Sequence, residues 1–112
     1  MVLLIIQLMQ AITFSMTVSQ DLTRVMLRYP VSEGVSWLQV CVESEGRGER
    51  DEPWYTNSCW EPRFVTEEYP LVLNTYHVRA HLTIDQEGKR STLHTPVLQV
   101  HTEPSEARRG AR

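Results

Sequence analysis

Cysteine is scarce in this chain: Cys41 and Cys59 are the only two in 112 residues. Two are too few for a disulfide-framework miniprotein, and too few for a zinc site built from cysteine alone. An excess of one charge is also missing, with 11 basic residues against 14 acidic ones. That balance predicts no broad basic field to attract nucleic acid and no acidic disordered block. The catalytic signatures G-x-S-x-G, H-E-x-x-H and C-x-x-C do not occur, nor does a glycine-rich phosphate loop. Carboxylates are adjacent at Asp51-Glu52 and Glu67-Glu68. Neighbours on a strand face opposite sides, which argues against a catalytic acid/base pair at either place. The expectation is a non-enzymatic protein with no cofactor, no metal and no small-molecule substrate. A sustained helical period is absent as well.

What the chain does have is alternation. Residues 12–19 place Ile12, Phe14, Met16 and Val18 on one face and Thr13, Ser15, Thr17 and Ser19 on the other, the pattern of a half-buried strand. Residues 1–20 carry no charged side chain, and 2–8 (VLLIIQL) form a compact apolar run. A secretory signal peptide with a cleavage site near Thr17 and Ser19 would account for that run, but the basic n-region is missing. Gln7, Gln10, Thr13 and Ser15 interrupt it too often for a membrane-spanning helix. The strand is the preferred reading. Residues 1–11 are then an apolar N-terminal segment, a signal remnant or the end of a truncated upstream segment.

A turn at Gln20-Asp21 leads to residues 23–29, with Val25, Leu27 and Tyr29 on one face, and Pro30 ends that strand. After a turn at Ser32-Glu33-Gly34, residues 35–43 are the most β-prone run, with Leu38, Val40 and Val42 assigned to the core. Residues 44–53 hold six charges, two glycines and a proline, and are expected to be a solvated loop. Residues 54–60 (WYTNSCW) read as a short aromatic edge strand broken at Pro62, and 63–68 as a further strand. A hairpin follows: Tyr76, Val78, Ala80 and Leu82 face inward, Glu87-Gly88 is the turn, and the closing strand runs through Pro96 to Thr102. Residues 104–112 are a polar tail expected to be disordered. About seven strands at roughly ten-residue spacing predict an all-β antiparallel sandwich in one domain, residues 12–103.

Within this frame His77, Arg79 and His81 are expected to point outward, with His81 opposite His94. A zinc site would need further ligands that are not evident, so these are read as solvated strand-face histidines. Cys41 and Cys59 are either free buried thiols or one bridge, and the bridge is preferred because the chain looks extracellular. Asn57-Ser58-Cys59 is a marginal glycosylation sequon that a bridged Cys59 would compromise.

The segment Y-x-V-R-A from Tyr76, the glycine-bearing turn and the ending P-V-L-Q-V from Pro96 resemble the last hairpin of a fibronectin type III domain. Val25 to Pro30 resembles the second strand of that family, with Tyr29 where a tryptophan is usual, and Tyr76 resembles its tyrosine corner. Gln99 falls where the family has a second valine; a bulge after Pro96 would restore Leu98 and Val100 to the core. The Trp54…Cys59 spacing more weakly resembles class II cytokine receptors. The resemblance implies a seven-stranded immunoglobulin-like sandwich, structural roles for Tyr29 and Tyr76, and a protein-binding module of a secreted or cell-surface, receptor- or adhesion-like protein. It would reach a membrane only through a parent chain. Candidate contacts are Asp85, Glu87, Lys89 and Arg90 in the closing turn and Arg47 and Arg50 in the charged loop. Trp37 and Trp54 join them as exposed aromatics, Trp54 marking a sheet edge that is a further candidate. A spacer domain cut from a longer chain and an accessory carbohydrate-binding domain are the alternatives.

Overall fold

The computed structural model describes residues 13–30 and 33–101. The N-terminal segment 1–11, Ile12, Ser32, Thr102 and the tail 104–112 lie outside the described residues. Eight strands follow in order: β1 Ser15–Val18, β2 Arg24–Arg28, β3 Val35–Arg47, β4 Pro53–Trp60, β5 Thr66–Pro70, β6 Thr75–Gln86, β7 Lys89–His94 and β8 Leu98–Gln99. One sheet has the order β1-β2-β5; the other has β4-β3-β6-β7, with β8 also on β6. Every pairing is antiparallel.

The two sheets form a sandwich because each presents one apolar row inward, at the two-residue period of a pleated strand. Met16, Val25, Leu27 and Tyr29 supply one side of the core; Val40, Val42, Val78, Ala80 and Leu82 supply the other, and Val100 closes one end. Phe14 stacks on Tyr29 with ring centres 6.0 Å apart. The expected inward set of β6 is found as read, and Leu38 packs against the core with Val40 and Val42.

The closing strand accounts for eight elements where about seven are expected. His94 pairs with His81 and Leu98 with Val78, so four residues on one strand span three on the other. This one-residue excess is a β-bulge. It divides the strand around Pro96 and turns Leu98 and Val100 inward. The turn between β6 and β7 is Glu87-Gly88, with φ of 50° and 80°, the left-handed pair that a two-residue hairpin requires.

Two sequence-based boundaries are corrected. Residues 44–47 are strand, and the connection between β3 and β4 shrinks to 48–52. Ser44 and Gly46 continue the inward row. The Ser44 and Thr56 hydroxyls bond at 2.8 Å, and a Cβ at Gly46 would sit 2.1 Å from the Asn74 carbonyl oxygen, so only glycine lets the backbones meet there. The strand read at 63–68 begins instead at Thr66 and includes Tyr69 and Pro70. Phe64 and Val65 are exposed, and the inward side chains are Glu67 and Tyr69.

Glu67 is what fastens β5 to the opposite sheet. Its Oε1 accepts from the Tyr29 hydroxyl and from Trp60 Nε1, each at 2.9 Å, and its Oε2 accepts the Arg63 amide at 3.2 Å. Trp60 in turn stacks on Tyr69, ring centres 5.4 Å apart, and the Tyr69 hydroxyl donates to Ser58 Oγ at 2.9 Å. Burial pushes the Glu67 carboxyl up, yet the three donors together hold it below its ordinary value. Burial first, and then the carboxylate, push the Tyr29 phenol well above its ordinary range. At the far end of the seam the Thr75 hydroxyl bonds back to the Val72 carbonyl at 2.6 Å, fixing the corner before the buried Tyr76.

Cys41 and Cys59 form a disulfide between directly opposed positions of β3 and β4. The bridge therefore joins neighbours within one sheet and does not link the two sheets.

Two outcomes follow from these contacts. Glu67 has a lowered folded-state pKa, so its contribution is present above the unfolded value of about 4.3 and disappears as pH falls through the folded value. Glu67→Gln should cost on the order of 1–2 kcal/mol at pH 7. In urea unfolding the gap to the parent should narrow as pH drops from about 5 to about 3; a gap that stays constant would contradict the tie. Removing the bridge by Cys41→Ala with Cys59→Ala should lower stability by about 3 kcal/mol, read by the same denaturation curves against the oxidised parent.

Candidate functional site

The face of the larger sheet that points away from the core is polar, and register arranges it in rows. At one end Trp37, Asp85 and Arg90 lie side by side across β3, β6 and β7. Arg90 donates from Nε and Nη2 to the two Asp85 oxygens at 2.8 and 3.0 Å, the two-pronged geometry that suits guanidinium and carboxylate. Its guanidinium carbon stands 5.0 Å from the Trp37 ring centre, within cation–π range. Trp37 Nε1 donates to Glu61. The indole is thus pinned at its nitrogen and covered on one face. The pairing with Arg90 lowers the Asp85 carboxyl, and Asp85 raises Arg90. Glu87 and Lys89 are exposed in the adjoining turn.

The next rows are Gln39 with Thr83 and Thr92, then the Cys41–Cys59 bridge with His81 and His94. The two imidazoles are opposite each other as expected, ring centres 5.8 Å apart. Among the described residues no group of three or more His, Cys, Asp or Glu is placed to hold a metal ion.

A shallow groove of about 250 Å³ follows, lined by Glu43, Glu45, Tyr55, His77, Arg79 and Val97. Glu43 is its centre. It accepts from Arg79 Nε and, at 2.6 Å, from the Tyr55 hydroxyl, while Glu45 and His77 Nδ1 bond at 3.0 Å. Arg79 first, then Tyr55, draw the Glu43 carboxyl down; Glu43 pushes the Tyr55 phenol up. Glu43 and Arg79 thus form an ion pair across β3 and β6, and Tyr55 and His77 bond to the two carboxylates of the groove.

The sequence candidates fall into two groups. Trp37, Asp85, Glu87, Lys89 and Arg90 share one end of the sheet. Arg47, Arg50 and Trp54 belong to the other: Arg47 bonds the Asp51 carbonyl at 2.9 Å, Arg50 is exposed, and Trp54 is half-buried against Gly46. Trp37 and Arg47 are separated by ten residues of one strand, about 30 Å at strand rise, so the two loops do not make one site. Trp54 is a packing residue, its ring occupying space that a side chain at position 46 would need. The paired carboxylates behave as strand neighbours do: Glu67 turns into the seam and Glu68 outward to Arg24, 3.4 Å away. Cys59 of the Asn57-Ser58-Cys59 sequon is committed to the bridge. Glu43, Glu45 and Tyr55 were missed as a group. Their signal was the alternation of Glu43, Glu45 and Arg47 with Val42, Ser44 and Gly46.

Absorbance titration should find the Tyr55 phenol ionising above the ordinary value near 10, and Glu43→Gln should shift it back downward. Identical alkaline titration of parent and variant would show that Tyr55 does not bond Glu43 in solution.

Comparison with family models, with curated proteins and with solved structures gave no match in any of the three.

Proposed function

We propose that this chain is a non-enzymatic protein–protein interaction module of the fibronectin type III kind, belonging to an extracellular or cell-surface, receptor- or adhesion-like protein. The sandwich with its closing hairpin on the larger sheet supports the architectural part of that reading. The disulfide is compatible with an oxidising compartment. The observation that carries the functional part is the end formed by Trp37, Asp85 and Arg90. Tryptophan and arginine dominate interface energetics, and here both are immobilised before any partner arrives, which reduces the ordering cost of binding. The tight turn holds Glu87 and Lys89 beside them as a charged rim.

The test is a tagged, oxidised domain applied to a panel of cell lines and purified ectodomains, with binding measured by flow cytometry and surface plasmon resonance. Saturable binding is expected. Trp37→Ala and Arg90→Ala should each weaken it roughly ten- to thirtyfold, while Arg50→Ala, about 30 Å away, should leave it unchanged. Absence of binding across the panel would favour a spacer, and loss only with Arg50→Ala would move the site to the opposite end.

A further inference from the structure

Among the described residues the sandwich has four open sheet edges, and three of them are blunted in the ways proteins use against edge-to-edge pairing. β1 is four residues long. β5 carries Glu67 and Glu68 and ends at Pro70. β7 opens with Lys89-Arg90, and the closing strand is broken by the bulge at Pro96. The fourth edge, β4, has a proline only at its first residue, Pro53, and no other of these devices. It runs eight residues in continuous register with β3, and from Trp54 to Trp60 it contains no charge and no proline. Among the described residues no backbone bond outside β3 reaches it.

We infer that β4 is a self-association edge, where a second copy of this chain pairs antiparallel about a two-fold axis at Asn57. Which backbone groups are available follows from the bridge. Cys41 and Cys59 have a Cα separation of 4.1 Å, close to that of a non-hydrogen-bonded antiparallel pair. Cys59 therefore directs its N–H and C=O away from β3, and so do Asn57 and Tyr55 at the same parity. Centring the pairing on Asn57 sets it against Asn57 of the second copy, and Tyr55 against Cys59. These are the residues whose groups point outward, and they form about six backbone bonds. Pro53, which has no N–H to donate, and Pro62 bound the pairing at either end.

The choice of a second copy as occupant rests on the charge pattern. Across a two-fold axis every residue meets its mate in an identical strand, so charges of one sign near the axis would repel; residues 54–60 carry none. The aromatics complement one another, because the same register places Trp54 opposite Trp60. The disulfide holds β4 onto β3, so the edge is presented already extended and in fixed register. The paired sheets become one continuous sheet, and both open β4 edges are consumed. The Trp37 end is not involved, so this inference stands apart from the proposed partner site.

Sedimentation velocity on the oxidised, unglycosylated chain tests it, over concentrations from about 1 µM to about 1 mM. A monomer–dimer equilibrium is expected, unchanged by Arg90→Ala. Asn57→Pro removes an N–H that β3 does not use, and Asn57→Lys sets like charges together at the axis; each should weaken the dimer at least tenfold while near-ultraviolet circular dichroism stays native. Mixing Asn57→Lys with Asn57→Glu should restore a heterodimer. A parent that remains monomeric throughout, as an edge serving only a foreign peptide would, overturns the inference. So does a dimer indifferent to both single variants, or failure of the mixture to associate.

Discussion

A half-buried carboxylate governs how the two sheets meet. Glu67 stands in the seam with Tyr29 and Trp60 donating to one oxygen and the Arg63 amide to the other. A carboxylate removed from water must recover its lost hydration from fixed donors. That requirement brings three chain segments to one point: the end of β2, the end of β4 and the crossover into β5. Trp60 is then correctly set to stack on Tyr69, and Tyr69 to reach Ser58. Apolar side chains would fill this seam with less directionality. Three bonds to one group specify which strand end lies against which.

The larger sheet uses its two faces differently. Its inner face is a row of valine, alanine and leucine, with Ser44 and Gly46 allowing close approach where the chain narrows. Its outer face matches charges across strands, Asp85 with Arg90 and Glu43 with Arg79. Such exposed pairs add little to stability. Their effect is to hold long side chains in one conformation, so that the outer face is shaped as well as charged. At the Trp37 end an aromatic is held in the same way, and the groove around Glu43 lies several rows distant on the same sheet.

Elements whose pattern is local were legible in the sequence. The inward row of β6, the Glu87-Gly88 turn and the His81–His94 pairing all follow from strand alternation and a two-residue hairpin. The bulge at Pro96 was legible because Leu98 and Val100 need an extra residue to face inward. The misread parts depend on distant contacts. Nothing near position 46 shows that Asn74 and Trp54 close over it, so a charged, glycine-rich stretch reads as loop. Around β5 the apolar Phe64 and Val65 are outside and the acidic Glu67 is inside, the reverse of what hydropathy suggests, because the fold brings the Tyr29 hydroxyl, 38 residues away in the chain, to the carboxylate beside the nearby Trp60 and Arg63 donors. Of the candidate site, the Asp85–Arg90 pair follows from hairpin arithmetic. The separation of the two loops follows from β3 running its full length between them, and the packing role of Trp54 from its place beside Gly46.

The Cys41–Cys59 bridge also defines how the domain responds to mechanical load. It spans 18 residues of sequence, and when tension is applied between Phe14 and Val100 that closed loop bypasses the load. Roughly 60 Å of contour is withheld from extension at about 3.4 Å per residue. The smaller sheet, whose strands flank the loop, has no such protection. Stretching therefore separates β1, β2 and β5 from their partners while the β3–β4 pair remains joined, and reduction of the bridge lengthens the fully extended domain by that withheld amount.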